Sequence, residues 1–238
     1  MAFKTRITEL LGIDYPIIQG GLAYLAYAEL AAAVSNAGGL GQITAMSLPG
    51  PDELRKEIHK VRELTDRPFG VNFAIGDHGR SFSHMLDVAI EENVPVVSMT
   101  GGNPTPIFEQ LEGTSIKKLV LVAARRQAEK AEQLGADAVM VVGHEGGGHL
   151  GRDDIGTMVL IPQVVDAVSI PVIAFFLQAF FDDCCHLLFK ASKDIWRTFK
   201  NRHFRTHVRI SSSKLSSDVT AADDDKFFRN FFQSKSTC

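Results

Sequence analysis

Three features of this sequence predict an α/β fold on a parallel sheet. Near-continuous apolar runs recur along the first three quarters of the chain, segments with helical periodicity separate them, and glycines or polar residues follow many of the runs. Parallel strands are buried on both faces, so they read as unbroken apolar runs rather than alternating ones.

Seven runs qualify as strands: YPIIQG (15–20), LGQITA (40–45), FGVNFA (69–74), VPVVSMTG (94–101), KKLVLVA (117–123), DAVMVVG (137–143) and IPVIA (170–174). Six helices fall between them. YAELAAAVSNAGG closes on Gly38 and Gly39, as a helix C-terminus does. PDELRKEIHKVRELT opens on Pro51 with acids in its first turn, where proline fits and negative charge meets the helix dipole. HMLDVAIEEN, PTPIFEQLEG, RRQAEKAEQLG and IGTMVLIPQVVDAV complete the set.

Alternating strands and helices build either a doubly wound sheet or a (β/α)8 barrel of the TIM type. The even unit length favours the barrel. So do the polar or glycine-rich positions after successive strands: Gln19-Gly20-Gly21, Asn72, Thr100-Gly101-Gly102 and residues 143–151. In a barrel all of these converge on one face, where active sites sit; in an open sheet only those at the switch point do. With about seven strands recognisable, the barrel is expected to be incomplete.

Composition divides the chain. All 20 glycines and all 9 prolines lie in residues 1–174, whereas the three cysteines, Trp196 and 11 of the 16 phenylalanines lie in 175–238. Charge divides at the same place, 14 basic against 21 acidic side chains before it and 11 against 7 after it. The domain expectation is therefore a barrel portion over 1–174 and a divergent or frame-shifted tail over 175–238. Phe181, Cys184, Leu188, Ala191, Ile195 and Phe199 space a helix in that tail, and the polar SSSKLSSDVTAADDD is expected to be disordered. A formal charge of -3 argues against nucleic acid as a partner. No apolar run reaches membrane-spanning length and the N-terminus has no signal-peptide core, so neither membrane nor export is expected. Three cysteines form no disulfide framework, and a cytoplasmic setting is the default.

The stretch GHEGGGHLG (143–151) is the candidate catalytic loop. Its histidines stand five apart rather than four, and three consecutive glycines forbid the helix that a zinc-protease motif requires, so no metal is expected. Glycines directly after a buried strand instead bring backbone N–H groups close to a ligand.

GHEGGGHLG resembles the GxExGGHxG signature of the FMN-dependent nitronate monooxygenases (formerly 2-nitropropane dioxygenases) and the related enoyl-acyl-carrier-protein reductase II flavoenzymes. The opening KTRITELLGIDYPIIQGGLAYLAYAELAAAVSNAGGLGQI, RPFGVNFA, GADAVMVVG and SIPVIA resemble the same superfamily, so the likeness covers residues 3–174. It implies an oxidoreductase with FMN as cofactor, and a small nitronate and oxygen as partners; a homo-oligomer is compatible. His149 matches the family histidine that takes the α-proton of a nitroalkane. Gln19, Gly20, Gly21 and Leu22 match a flavin-contacting loop in which methionine is common at the position of Leu22. Asn72 matches the polar residue that hydrogen-bonds the ring, Gly147 and Gly148 match backbone close to the cofactor, and Glu145 either fixes the loop or meets the flavin. His144 has no counterpart role. GRDDIGTMVL is more like the monooxygenases than the reductases; NADH-dependent reduction of an enoyl thioester is the alternative, and a truncated, non-catalytic product a third. Past residue 174 the family's glycine-rich, phosphate-holding loops have no counterpart, since the tail contains no glycine.

Overall fold

The computed structural model describes residues 4–76, 81–146, 151 and 154–174. Six strands form one sheet: β1 (Gly41–Thr44), β2 (Phe69–Ala74), β3 (Val96–Thr100), β4 (Lys117–Val122), β5 (Ala138–Val141) and β6 (Val172–Ala174). All neighbours are parallel and the order is β1-β2-β3-β4-β5-β6. A doubly wound sheet reverses its strand order at a switch point; this one never does, which makes it barrel-type. Among the described residues seven α-helices accompany it: α1 (Arg6–Leu11), α2 (Ala28–Asn36), α3 (Pro51–Leu64), α4 (Ser83–Glu91), α5 (Thr105–Gln110), α6 (Arg125–Gln133) and α7 (Thr157–Val165). No helix among the described residues is long and apolar enough to cross a membrane. The helix and disorder expected after residue 174 lie outside the described residues.

Two expectations need correcting. The run at 15–20 is not a strand but a single parallel bridge, Ile18 to Leu40. Pro16 has no N–H, and the Ile17 N–H is turned back onto the Tyr15 carbonyl at 2.7 Å, so two ladder donors are withdrawn. Conversely, α1 is a helix that periodicity does not reveal. It is held by a reciprocal cap between Thr5 and Thr8 and stopped by Gly12 at φ 67°.

Strand residues alternate between two cores. Ile43, Val71, Phe73, Val97, Val139 and Val141 turn outward and are fully buried with Leu54, Ile58 and Val61 of α3, Leu86 of α4, and Val164 of α7. Each such side chain contributes about 1.5–3 kcal/mol by leaving water. The inner face is built in layers. Val96, Leu119, Ala138 and Met140 pack with Ile7 and Leu11 of α1, which covers the end where the strands begin. Toward the other end the inner face turns polar, with Thr44, Asn72 and Ser98 side by side on three adjacent strands.

Helix α2 lies unusually close to β1. Ala28, Ala31 and Ser35 present almost no bulk to the strand and are fully buried. The Gly41 N–H donates to Ser35 Oγ at 3.1 Å, and that hydroxyl donates to the Pro68 carbonyl at 2.8 Å. A Cβ on Gly41 would stand 1.8 Å from the Ala31 carbonyl oxygen.

Between α3 and α4, the Glu92 carboxylate receives Arg55 at 2.6 Å, Arg62 at 2.7 Å and His59 at 3.1 Å. Its burial alone would raise its pKa, but the hydrogen bonds from Arg55, His59 and Arg62 outweigh that and hold it below the usual carboxylate range.

Candidate active site

Parallel strands of one order point their C-terminal ends the same way, and the polar residues there form a connected group. Gln19 and Gln42 clasp each other. Gln19 Nε2 donates to the Gln42 carbonyl at 3.1 Å and to the Gly20 carbonyl at 2.6 Å, while Gln19 Oε1 accepts the Gln42 N–H at 3.1 Å. In return Gln42 Nε2 donates to the Gln19 carbonyl at 2.7 Å. The clasp fixes the start of the segment that carries Gly20, Gly21 and Leu22. Its far end is fixed by the Thr44 N–H, which donates to the Ala26 carbonyl at 2.9 Å.

Between those ties the segment passes directly over Asn72. A Cβ on Gly21 would lie 2.2 Å from Asn72 Oδ1 and 2.6 Å from its Cγ, so only glycine fits. Asn72 is buried and donates from Nδ2 to Ser98 Oγ at 2.9 Å, which leaves its carbonyl oxygen on the Gly21 side. Leu22, Tyr24 and Leu25 are exposed beside it, an apolar rim next to a buried polar floor. Sequence reasoning singled out Asn72 and Gly21, which the structure brings together. It missed Ser98, Gln42 and Thr44, although the alternation in GQIT places the last two on the same face of β1.

The beginning of the glycine-rich loop is tied to α7. The Gly143 N–H donates to Thr157 Oγ1 at 2.8 Å, the His144 N–H to the Ile155 carbonyl at 3.0 Å, and the Thr157 N–H to Glu145 Oε1 at 2.7 Å. Glu145 thus serves α7 as a side-chain cap from twelve residues away, where the formal N-cap Gly156 has no side chain to do so. Burial pushes the Glu145 pKa up, but the backbone bonds and both Thr157 donors prevail and hold it below its ordinary value. The His144 imidazole is half exposed, 3.6 Å from Glu145 and 3.5 Å from Asp154. Among the described residues no group of three ligating side chains could hold a metal ion. Gly147, Gly148 and His149 lie outside the described residues.

The cap has a measurable consequence. Glu145→Ala is expected to weaken protection of the Thr157 amide against hydrogen exchange by about fivefold, the equivalent of about 1 kcal/mol for a lost cap. Because the folded pKa is depressed, the carboxylate's contribution is complete above the unfolded value and disappears as pH falls through the lower folded one. Protection at Thr157 should therefore hold at neutral pH and drop only in acid; equal protection in wild type and variant would show that the cap carries no load.

This floor suits a flat, amphipathic ring. Gly21 packs directly on Asn72, the Leu22 and Leu25 side chains are exposed next to it, and Thr44 Oγ1 is buried without a partner. Comparison with known proteins agrees in kind. The family model described as nitronate monooxygenase matches residues 4–81 and 73–175. An octahydroindene-carboxyl-CoA dehydrogenase of Rhodococcus jostii is 39% identical over 171 residues, 72% of this chain and 47% of that protein. A probable nitronate monooxygenase of Staphylococcus saprophyticus is 35% identical, covering 73% of this chain and 61% of its own. Among solved structures, FabK from Thermotoga maritima superposes with TM-score 0.67 at 44% identity, over 72% of this chain and 54% of that one. The nitroalkane oxidase of Streptomyces ansochromogenes gives 0.62 at 33%, over 71% and 60%. The chain spans about half the length of the curated relatives it matches.

Proposed function

Since the chain belongs to the nitronate monooxygenase family, we propose that it is an FMN-dependent oxidoreductase that oxidises alkyl nitronates, or the nitroalkanes they come from, with molecular oxygen. The observation that supports this best is the Gly21–Asn72 contact: a glycine laid on a buried, oriented amide at the C-terminal end of a parallel strand. Exposed apolar side chains beside buried polar groups suit a ring with apolar faces and polar edges. When bound, FMN supplies the electron-accepting chemistry.

The chain's own residues do the rest. Gln19 holds the loop whose Gly20, Gly21 and Leu22 would meet the ring, and Asn72 would offer it a carbonyl oxygen. Gly147 and Gly148, outside the described residues, match the positions where the family's backbone meets the same group. Glu145 anchors the loop that carries His149. The imidazole of His149 is the base for the proton on the carbon bearing the nitro group. An unperturbed histidine is mostly unprotonated at neutral pH and is suited to that task.

A second reading, reduction of an enoyl thioester with NADH, is favoured by the 39% identity to a carboxyl-CoA dehydrogenase and the 44% identity to FabK. The purified 238-residue chain separates the readings. FMN titrated with it should lose fluorescence at one equivalent, and the complex should consume oxygen with a nitronate but not oxidise NADH with an enoyl thioester. The reverse preference would favour the reductase. A chain that leaves FMN fluorescence unchanged would defeat both and identify a non-catalytic product.

A further inference from the structure

Among the described residues two buried side-chain atoms lack a hydrogen-bond partner, Gln42 Oε1 and Thr44 Oγ1. Both belong to β1 and both face the barrel interior. Gln42 lies deeper, over Gly70, with its N–H group already committed to Gln19. Thr44 is different. It ends the strand at the mouth of the site, is 4% exposed, and every polar group it has except the hydroxyl is served. Its N–H donates to Ala26 and its carbonyl accepts Ser47 Oγ at 3.1 Å.

A buried hydroxyl without a partner is unfavourable. Valine has the same shape and an equal liking for strands, so the ligand-free protein gains nothing from threonine here. The neighbour of Thr44 in strand register is Asn72. That side chain commits its N–H to Ser98, on the strand beyond, and keeps its carbonyl oxygen near Gly21. Adjacent strands therefore present a hydroxyl able to donate and a carbonyl able to accept, side by side. Their natural complement is a cyclic amide or imide edge, which carries a carbonyl next to an N–H.

We propose that Thr44 is a ligand-contacting residue of this site, its hydroxyl donating to a ring carbonyl whose neighbouring N–H is accepted by Asn72. The assignment rests on the flavin reading above, because the pyrimidine-like edge of FMN is such a group.

The test compares the wild-type chain with Thr44→Val and Thr44→Ser, by thermal melting without ligand and by fluorescence titration with FMN. Thr44→Val should melt no lower than wild type yet bind FMN about tenfold more weakly, whereas Thr44→Ser should stay within about twofold of wild type. A lower melting point for Thr44→Val would mean that the hydroxyl is already bonded in the free protein, and overturns the proposal. So does wild-type FMN affinity in Thr44→Val, which would assign the hydroxyl to a buried water alone. If the wild type itself fails to bind FMN, the flavin reading falls and this one with it. If the wild type binds and only the Thr44→Val prediction fails, the flavin reading stands.

Discussion

Gly41→Ala should cost about 3 kcal/mol or more and lower the melting temperature by roughly 6–12 °C. The added Cβ would meet the Ala31 carbonyl oxygen at 1.8 Å and the Ala31 Cα at 2.6 Å, both backbone atoms of α2. A clash with a side-chain end can be relieved by a change of rotamer; this one can be relieved only by moving a helix off a sheet. Ser35 opposes that motion, because its hydroxyl ties α2 both to Gly41 and to the carbonyl of Pro68. Domains of this kind have only about 5–15 kcal/mol of net stability. A calorimetric melt within one degree of wild type would show that α2 and β1 are not in the contact described.

Gly21→Ala should do the opposite: leave the fold nearly intact and weaken ligand binding strongly. Its Cβ would lie 2.2 Å from Asn72 Oδ1, a clash somewhat milder by distance than the 1.8 Å at Gly41. Yet Gly21 is exposed and lies in no helix or strand, so the segment can lift away at little cost to the core. Surface changes of this sort alter stability by about 0.5 kcal/mol. Lifting the segment separates Gly21 from Asn72, however, and FMN affinity should fall by roughly 30-fold or more, the equivalent of about 2 kcal/mol. Titration of the variant beside its melting curve is the measurement. Unchanged affinity would remove the Gly21–Asn72 contact from the binding site.

The contrast between those two glycines shows what the sequence could and could not disclose. Strands β2 to β6 are legible because a strand covered on both sides must be apolar throughout, and FGVNFA or DAVMVVG has no other reading. Asn72 is legible for the same reason, as a polar residue inside such a run. The run at 15–20 misleads because apolar content says nothing of donors, and Pro16 with the Tyr15–Ile17 turn withdraws two of them. Helix α1 escapes because six residues are too few for a period, and its cap is threonine answering threonine instead of the usual acid. Gln42 and Thr44 escape because two polar residues two apart in a strand look like ordinary alternation toward water. Only the register, which turns them inward beside Gly70 and Asn72, shows that their face is buried.

Residues 20–25 hang between two ties, Gln19 on Gln42 and Ala26 on Thr44, two positions apart on one strand. Such a bight is an exchangeable cassette. Apart from Gly21, which packs on Asn72, its residues can be rewritten, and it can be lengthened, without altering where it leaves and rejoins the scaffold, because ring closure at fixed ends depends only weakly on length. Divergence in what this scaffold accepts as a substrate would then accumulate in a hexapeptide while the strand beneath it stays constant.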